Sequence, residues 1–194
     1  VWYSTSWGAG LISDTFQYVA SARSFAAGNG FSIPYGDGLL EPMTKYPPMF
    51  SLVLAAFELV GVSALQEARF INIFLFGANI FFVFINVRQL TNSYYFSLLA
   101  AWLFSISFVL IELHSWALSE PLYFCLGLCT IYALGFYFRE INRKWLLLSA
   151  FLAMGVVLTR YVGLSLILAA ISVIFLSPLD FKRKLADALL FGFI

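Results

Sequence analysis

Apolar runs dominate the chain, and their lengths and interruptions predict its architecture. After residue 68 they recur at about 69–87, 94–113, 118–138, 145–159, 162–178 and from about 185 onward, each bounded by a short polar turn. Crossing hydrocarbon takes roughly 20 apolar residues, so these runs predict membrane-spanning helices. Residues 49–60 are apolar for only about a dozen positions and contain Glu58. A helix of that length reaches about 18 Å at 1.5 Å per residue, which predicts a segment lying at, or dipping into, a membrane interface.

Residues 1–46 are polar and irregular, with turn signals at Gly28-Asn29-Gly30, Gly36-Asp37-Gly38 and Tyr46-Pro47-Pro48. Within them Ser13-Asp14-Thr15 predicts the cap of a helix running to about residue 27, with Phe16, Val19, Ala20 and Arg23 at helical spacing. That helix is too short and too polar to span. The fold class expected is an all-α integral membrane protein, a polytopic helical bundle with an outer loop of short interfacial helices. Residues 1–66 form that extracytoplasmic loop and 67–194 the transmembrane helices of the catalytic module.

Thr159-Arg160-Tyr161 interrupts what is otherwise one apolar run over 145–178. A single helix through it would be about 51 Å long, against a hydrocarbon core of roughly 30 Å. Two short helices meeting at Arg160 are predicted instead, with the guanidinium at or just below the interface. The positive-inside rule then orients the bundle. Arg88, the group Arg139, Arg143 and Lys144, and the group Lys182, Arg183 and Lys184 occupy alternate turns, so seven of the eleven basic residues fall on the cytoplasmic side. Asp14, Asp37, Glu41, Glu58, Glu67, Glu112 and Glu120 fall on the outer side.

Composition agrees: 62% hydrophobic, 11% charged and a mean hydropathy of +0.91, against roughly 25% charged for a soluble domain. A net charge of +1 with scattered Lys and Arg argues against nucleic acid as a partner. Cys125 and Cys129, one turn apart in an apolar run, behave as small buried hydrophobes. Residues 1–14 lack the basic and apolar regions of a signal peptide, and the chain stops within the apolar segment 189–194; both ends look cut, and a fragment is expected.

Few residues carry chemistry. Asp14 opens a helix among Trp2, Tyr3, Trp7, Phe16 and Tyr18; it is suited to capping that helix and equally to taking a proton from an acceptor hydroxyl. Glu41 and Lys45 flank Pro42-Met43-Thr44, as a helical i, i+4 pair or as a solvated loop that holds Lys45 at phosphate depth. Glu112, His114 and Glu120 bracket one outer turn, where they suit a divalent cation or act as snorkelling boundary residues. Arg160 is either a helix-end anchor or a phosphate clamp. No Gly-rich phosphate loop, zinc spacing or nucleophile elbow occurs.

Together these strings resemble the membrane-embedded glycosyltransferases of the C superfamily, in particular the protein mannosyltransferase-like and aminoarabinose-transferase-like group (family 39 type). The resemblance rests on Ser13-Asp14-Thr15-Phe16-Gln17-Tyr18 with Gly28-Asn29-Gly30-Phe31, on Lys45-Tyr46-Pro47-Pro48-Met49, and on Gly61 with Glu67-Ala68-Arg69-Phe70-Ile71-Asn72. Ser119-Glu120-Pro121-Leu122 and Leu158-Thr159-Arg160-Tyr161-Val162-Gly163 complete it. It implies Asp14 as catalytic base, Lys45 and Arg160 at the phosphate of a polyprenyl-phosphate sugar donor, and Glu120 as the acidic residue of the later outer loop, with Glu41 a looser match. Where many relatives carry a second acidic residue after the first, this chain has Thr15. The family's first transmembrane helix and its helices beyond this segment have no counterpart here.

The implied reaction is direct, inverting displacement at the anomeric carbon on the extracytoplasmic face of the plasma membrane of a bacterium. Asp14 takes the acceptor proton, and Arg160 and Lys45 stabilise the leaving phosphate, with a divalent cation on Glu120, Glu41 or His114 as an added element. The acceptor is a protein, lipid or glycan. The competing reading is a polytopic transporter or flippase for a lipid-linked substrate, in which broken helices and membrane-embedded charge are equally expected.

Overall fold

A computed structural model describes residues 1–6, 8–36 and 38–193. Trp7, Asp37 and Ile194, counted above among the aromatic loop, the outer acidic residues and the last apolar segment, lie outside the described residues. The chain forms α1 (Ser13–Ala26), a hairpin of β1 (Ser32–Tyr35) and β2 (Leu39–Pro42), α2 (Met49–Glu58), α3 (Ala64–Thr91), α4 (Tyr94–Ile106) and α5 (Phe108–Ser115). Then follow α6 (Glu120–Glu140), α7 (Arg143–Thr159), a 3-10 turn (Tyr161–Gly163), α8 (Leu164–Leu176) and α9 (Phe181–Phe193). The fold is all-helical apart from the hairpin.

Helices stand where the apolar runs predict them, but not all are long. α3 and α6 are long and apolar enough to cross a membrane, and α4 with α5 adds a third such element if the pair, bent by 58°, is one span. α7, α8 and α9, at 17, 13 and 13 residues, are shorter than a full crossing. The expected helix over 94–113 therefore departs from regularity at Ser107, whose backbone is extended (φ −65°, ψ 115°). No Pro or Gly marks the bend. Ser105 Oγ donates to the Trp102 carbonyl at 2.7 Å, a back-bond that loosens the helical ladder just before the break.

Capping explains the other boundaries. Ser93 Oγ accepts from Phe96 N–H at the start of α4, and Asn142 Oδ1 accepts from Lys144 N–H at 3.0 Å at the start of α7. Neither Ser13 nor Asp14 caps α1 in the expected way: Ile12 is the N-cap, and its N–H donates to Thr15 Oγ1 at 3.3 Å, while Asp14 in the first turn accepts from Ser13 Oγ at 3.2 Å. Nor do Glu41 and Lys45 form a helical pair, because Glu41 lies in β2 opposite Ile33 and Lys45 in the turn beyond.

Two buried clusters hold the elements. Tyr18, Val19 and Ala22 of α1 pack with Phe50, Leu54 and Ala55 of α2 and Ala64 and Ala68 of α3. Tyr137, Leu146, Ala150, Ala153, Ala170, Ile174 and Phe191 join α6, α7, α8 and α9. Between them α3 lies parallel to α6 along three buried asparagines spaced by seven residues. Asn72 Nδ2 donates to the Trp116 carbonyl (2.5 Å), Asn79 to Pro121 (3.0 Å) and Asn86 to Leu128 (3.1 Å). Seven residues is two helical turns, so the three amides share one face and lock the register of α3 on α6.

Candidate functional site

The residues singled out from the sequence gather mainly at one end of the bundle, where the loops 1–12, 43–48, 115–120 and 160–163 meet. The first is fixed by Gly10, whose N–H donates to Ser115 O (2.9 Å) and whose carbonyl accepts from Ala117 N–H (3.1 Å). A Cβ on Gly10 would stand 2.5 Å from the Trp116 ring, so only glycine allows this approach. α1 starts from that anchor and projects Asp14 and, one turn later, Tyr18 along the same face.

The loop before α2 supplies the next group. Met43 N–H closes on Phe31 O at 2.9 Å, and the Tyr46 ring then packs at 5.0 Å from that of Tyr18. Lys45 Nζ lies 4.9 Å from the Tyr46 ring centre. The phenol of Tyr46 is raised above its ordinary pKa by burial and by the nearby Asp14 carboxylate, while Lys45 opposes that rise. Lys45 in turn is raised above the ordinary lysine value by the neighbouring Tyr46 phenol and, more weakly, by the attraction of Asp14. Carboxylate, phenol and ammonium thus form one interacting group.

Arg160 comes from the break between α7 and α8. Its backbone turns extended (φ −151°) after its N–H has bonded Val156 O at 2.9 Å, and Gly163 N–H closes the following 3-10 turn on Arg160 O at 2.9 Å. Gly163 is required by close approach, since a Cβ there would stand 2.8 Å from Val157 N and 2.9 Å from Val156 C. The guanidinium forms an ion pair with Glu120 and reaches Ser119 Oγ at 3.5 Å. Ser119 is buried and also meets the Tyr18 hydroxyl at 3.0 Å. Burial pushes the Tyr18 hydroxyl up to about 12, with the Ser119 hydrogen bond and the Arg160 charge pulling the other way. Tyr161 Oη donates to Thr44 O at 3.4 Å, tying the break to the Lys45 loop.

Tyr18, Lys45, Tyr46, Pro47, Arg160 and Tyr161 enclose an open pocket of about 200 Å³. An apolar groove of about 250 Å³ follows along the same helices, lined by Met49, Val53, Leu122, Leu126, Phe151 and Gly155 among others. Leu126 is six residues below Glu120 and Gly155 five before Arg160, so groove and pocket are separated by about 10 Å or less along the helix axes.

The other candidates lie elsewhere. His114 is buried between α3 and α5, with Nε2 at 3.0 Å from Asn79 Nδ2 and Nδ1 at 2.6 Å from Leu110 O; both ring nitrogens are engaged, so it does not join Glu120 at a common ligand. Glu41 is exposed on the hairpin, and Glu112 is exposed on α5. Among the described residues no group of three His, Cys, Asp or Glu side chains is placed to hold a metal ion. One Glu120 oxygen, Oε2, is buried without a partner.

Tyr18, Tyr46, Ser119 and Tyr161 belong to the site and were not singled out from the sequence. Tyr18 carried a usable signal, four residues after Asp14 on a predicted helix, and Ser119 another, directly before Glu120-Pro121 at a helix start. No protein-family model, curated protein or solved structure matches the chain.

Proposed function

We propose that the chain is the membrane-embedded part of a glycosyltransferase that moves a sugar from a polyprenyl-phosphate donor to an acceptor at the extracytoplasmic surface. The observation that carries this reading is an amphiphile-shaped site. Two cations, Lys45 and Arg160, border a small pocket, and a separate apolar groove lies within about 10 Å of it along α2, α6 and α7. A phosphate suits the first and a prenyl chain the second. Large apolar side chains exposed along the helices, among them Phe74, Phe81, Trp102, Phe151 and Leu168, support placement in lipid.

In this reaction the acceptor hydroxyl attacks the anomeric carbon while the bond from that carbon to the phosphate oxygen breaks. Asp14 takes the hydroxyl proton. The electron pair leaves with the polyprenyl phosphate, whose negative charge Arg160 and Lys45 stabilise. Arg160 must then share its donors between Glu120 and the phosphate, and Ser119 and Tyr18 hold it at the pocket wall. A single displacement inverts the anomeric configuration.

A transporter or flippase for a lipid-linked substrate is the second reading, favoured by the Oδ1 atoms of Asn72, Asn79 and Asn86, all buried and unpartnered along α3. Against it, α3, α6 and α7 carry their charged residues only near their ends, and α8 carries none. The test is transfer of radiolabelled sugar from a panel of polyprenyl-phosphate sugars by the protein in its native membranes, comparing wild type with Asp14→Asn. Transfer abolished by the substitution supports the glycosyltransferase; transfer at the wild-type rate refutes Asp14 as base, and no transfer from any donor shifts the assignment to transport.

A further inference from the structure

The opposite end of the bundle carries a second charged cluster that the proposed reaction does not use. Its centre is Asp187 of α9, fully buried, facing Tyr137 Oη at 2.7 Å, Arg143 Nε at 2.8 Å and Arg183 Nε at 3.5 Å. One carboxylate therefore faces two guanidinium groups, and one positive charge is left over. The nearby Glu140 is occupied by Trp145 Nε1 at 2.9 Å, and among the described residues no other carboxylate pairs with either arginine. The arginine side chains are 55% and 40% exposed; Arg183 Nε is buried and one of its terminal nitrogens is engaged by Ile141, so it is the exposed ends of the two guanidinium groups that can meet a ligand while Asp187 fixes their orientation.

Beside this cluster runs an apolar groove of about 300 Å³ between the end of α6 and the end of α8, lined by Phe138, Ile141, Val173, Leu176, Pro178 and Leu179 among others. One cation borders it through the lining residue Ile141, and a second lies against the neighbouring turn of α8. Arg183 donates to the carbonyl of Ile141 at 2.8 Å, and Lys184 Nζ to that of Phe175 at 3.0 Å. Ile141 itself is held in the left-handed region (φ 51°), uncommon for a β-branched residue, which turns that carbonyl at the close of α6.

We infer that this end of the bundle binds one anionic phospholipid, its phosphodiester between Arg143 and Arg183 and one acyl chain in the Phe138–Leu179 groove. A phosphodiester carries a single negative charge, which matches the one unbalanced guanidinium, and guanidinium groups bind phosphate oxygens in pairs. An apolar groove with a cationic rim between helix ends is the arrangement that holds lipid headgroups at a membrane surface. The inference rests on the membrane placement proposed above but not on the glycosyltransferase chemistry.

The experiment is native mass spectrometry of the detergent-purified protein titrated with phosphatidylglycerol or with phosphatidylcholine of the same chains. Wild type is expected to retain phosphatidylglycerol preferentially, and Arg183→Gln to bind it roughly fivefold more weakly. Because Arg183→Gln also loosens Asp187, Val173→Trp, which fills the groove and leaves the charges in place, serves as the second variant and is expected to lose the preference with the melting temperature unchanged. Equal retention of both lipids by wild type, or undiminished preference in Val173→Trp, overturns the inference. Release of the protein from membranes by carbonate would instead refute the membrane placement, and a protein that stays bound but shows no lipid preference refutes this inference alone.

Discussion

Gly163→Ala adds one methyl group and should damage both the fold and the site, because that methyl has no room. Its carbon would stand 2.8 Å from Val157 N and 2.9 Å from Val156 C, backbone atoms that cannot swing aside. Contact at van der Waals distance requires about half an ångström more, so the turn after Arg160 must open. Overpacking of this kind costs about 1–3 kcal/mol, and losing the Gly163 N–H bond to Arg160 O adds about 1 kcal/mol. The lower entropy of the unfolded alanine chain returns about 0.4–1 kcal/mol. The net loss is about 1–3.5 kcal/mol, a fall in melting temperature of about 2–14 °C for a chain of this size. Gly127→Ala is the matched control: it lies in the interior of α6 with nothing within 4 Å of the added carbon, so helix propensity alone should stabilise it by about 0.5–1 kcal/mol. Thermal unfolding of the three proteins in one detergent, followed by far-UV circular dichroism, measures both. Shifts of the same sign in the two variants would refute the argument that the α7–α8 break is built on backbone contact at Gly163.

Three further outcomes are expected. Asp187→Asn leaves Arg143 and Arg183 without their carboxylate; buried pairs broken this way lose about 3–5 kcal/mol, reduced here to about 2 kcal/mol because both arginines are partly exposed, and chemical denaturation checks it. The Tyr18 hydroxyl, pushed up from 10.0 to about 12 in the folded chain, holds its proton where the unfolded chain has lost it, so its contribution is complete below pH 10 and disappears as pH rises from about 10 to 12; Tyr18→Phe should flatten the fall in melting temperature across that window, and an unchanged slope would contradict the assignment. Arg160→Gln should raise the KM for a polyprenyl-phosphate sugar at least about tenfold, the scale of one lost charge-assisted contact, with Lys45→Gln, on an exposed side chain, weaker; equal effects would show that Arg160 has no privileged role at the phosphate.

Helices and their breaks were legible wherever apolar periodicity and local polar residues agreed. The start of α1 near Ser13, α2 from Met49 and the interruption at Arg160 all follow from that agreement. The hairpin was hidden because Pro34 and Pro42 stand inside its strands, where proline removes ladder donors, and only a two-stranded edge tolerates them. The bend at Ser107 was hidden because hydropathy is continuous across it and the serines that loosen the helix weigh little in an apolar window. At the site, Asp14, Lys45, Glu120 and Arg160 were legible as charges in an apolar chain. The place of His114 was not, because it depends on Asn79 of a distant helix. That interaction had a signal in the heptad Asn72, Asn79 and Asn86, three amides on one face of an otherwise apolar helix.

The same helix pairing sets both charged layers and the distance between them. α6 and α7 are antiparallel neighbours joined by Ile141 and Asn142, so the start of α6 must lie beside the end of α7. That places Glu120 against Arg160 at one end, and the end of α6 against the start of α7 places Tyr137 beside Arg143 at the other, with Asp187 between them. From Glu120 to Tyr137 along α6 is 17 residues, about 26 Å at 1.5 Å per residue, within a few ångström of the roughly 30 Å of a bilayer's hydrocarbon core. Between the two layers the helices expose large apolar side chains, Ile131 and Phe151 among them. In a bilayer the separation is required, because each charge must reach a headgroup layer or be neutralised by a partner. A helix shortened by one turn within 123–134 would draw the two layers about 5 Å closer, leaving Glu120–Arg160 or Asp187–Arg143 below its interface. Deleting four residues there should therefore reduce membrane insertion far more than deleting residues 36–39 between and at the edge of the hairpin strands, which a glycosylation-site insertion assay in microsomes distinguishes; equal insertion of the two deletions would show that α6 does not set the spacing.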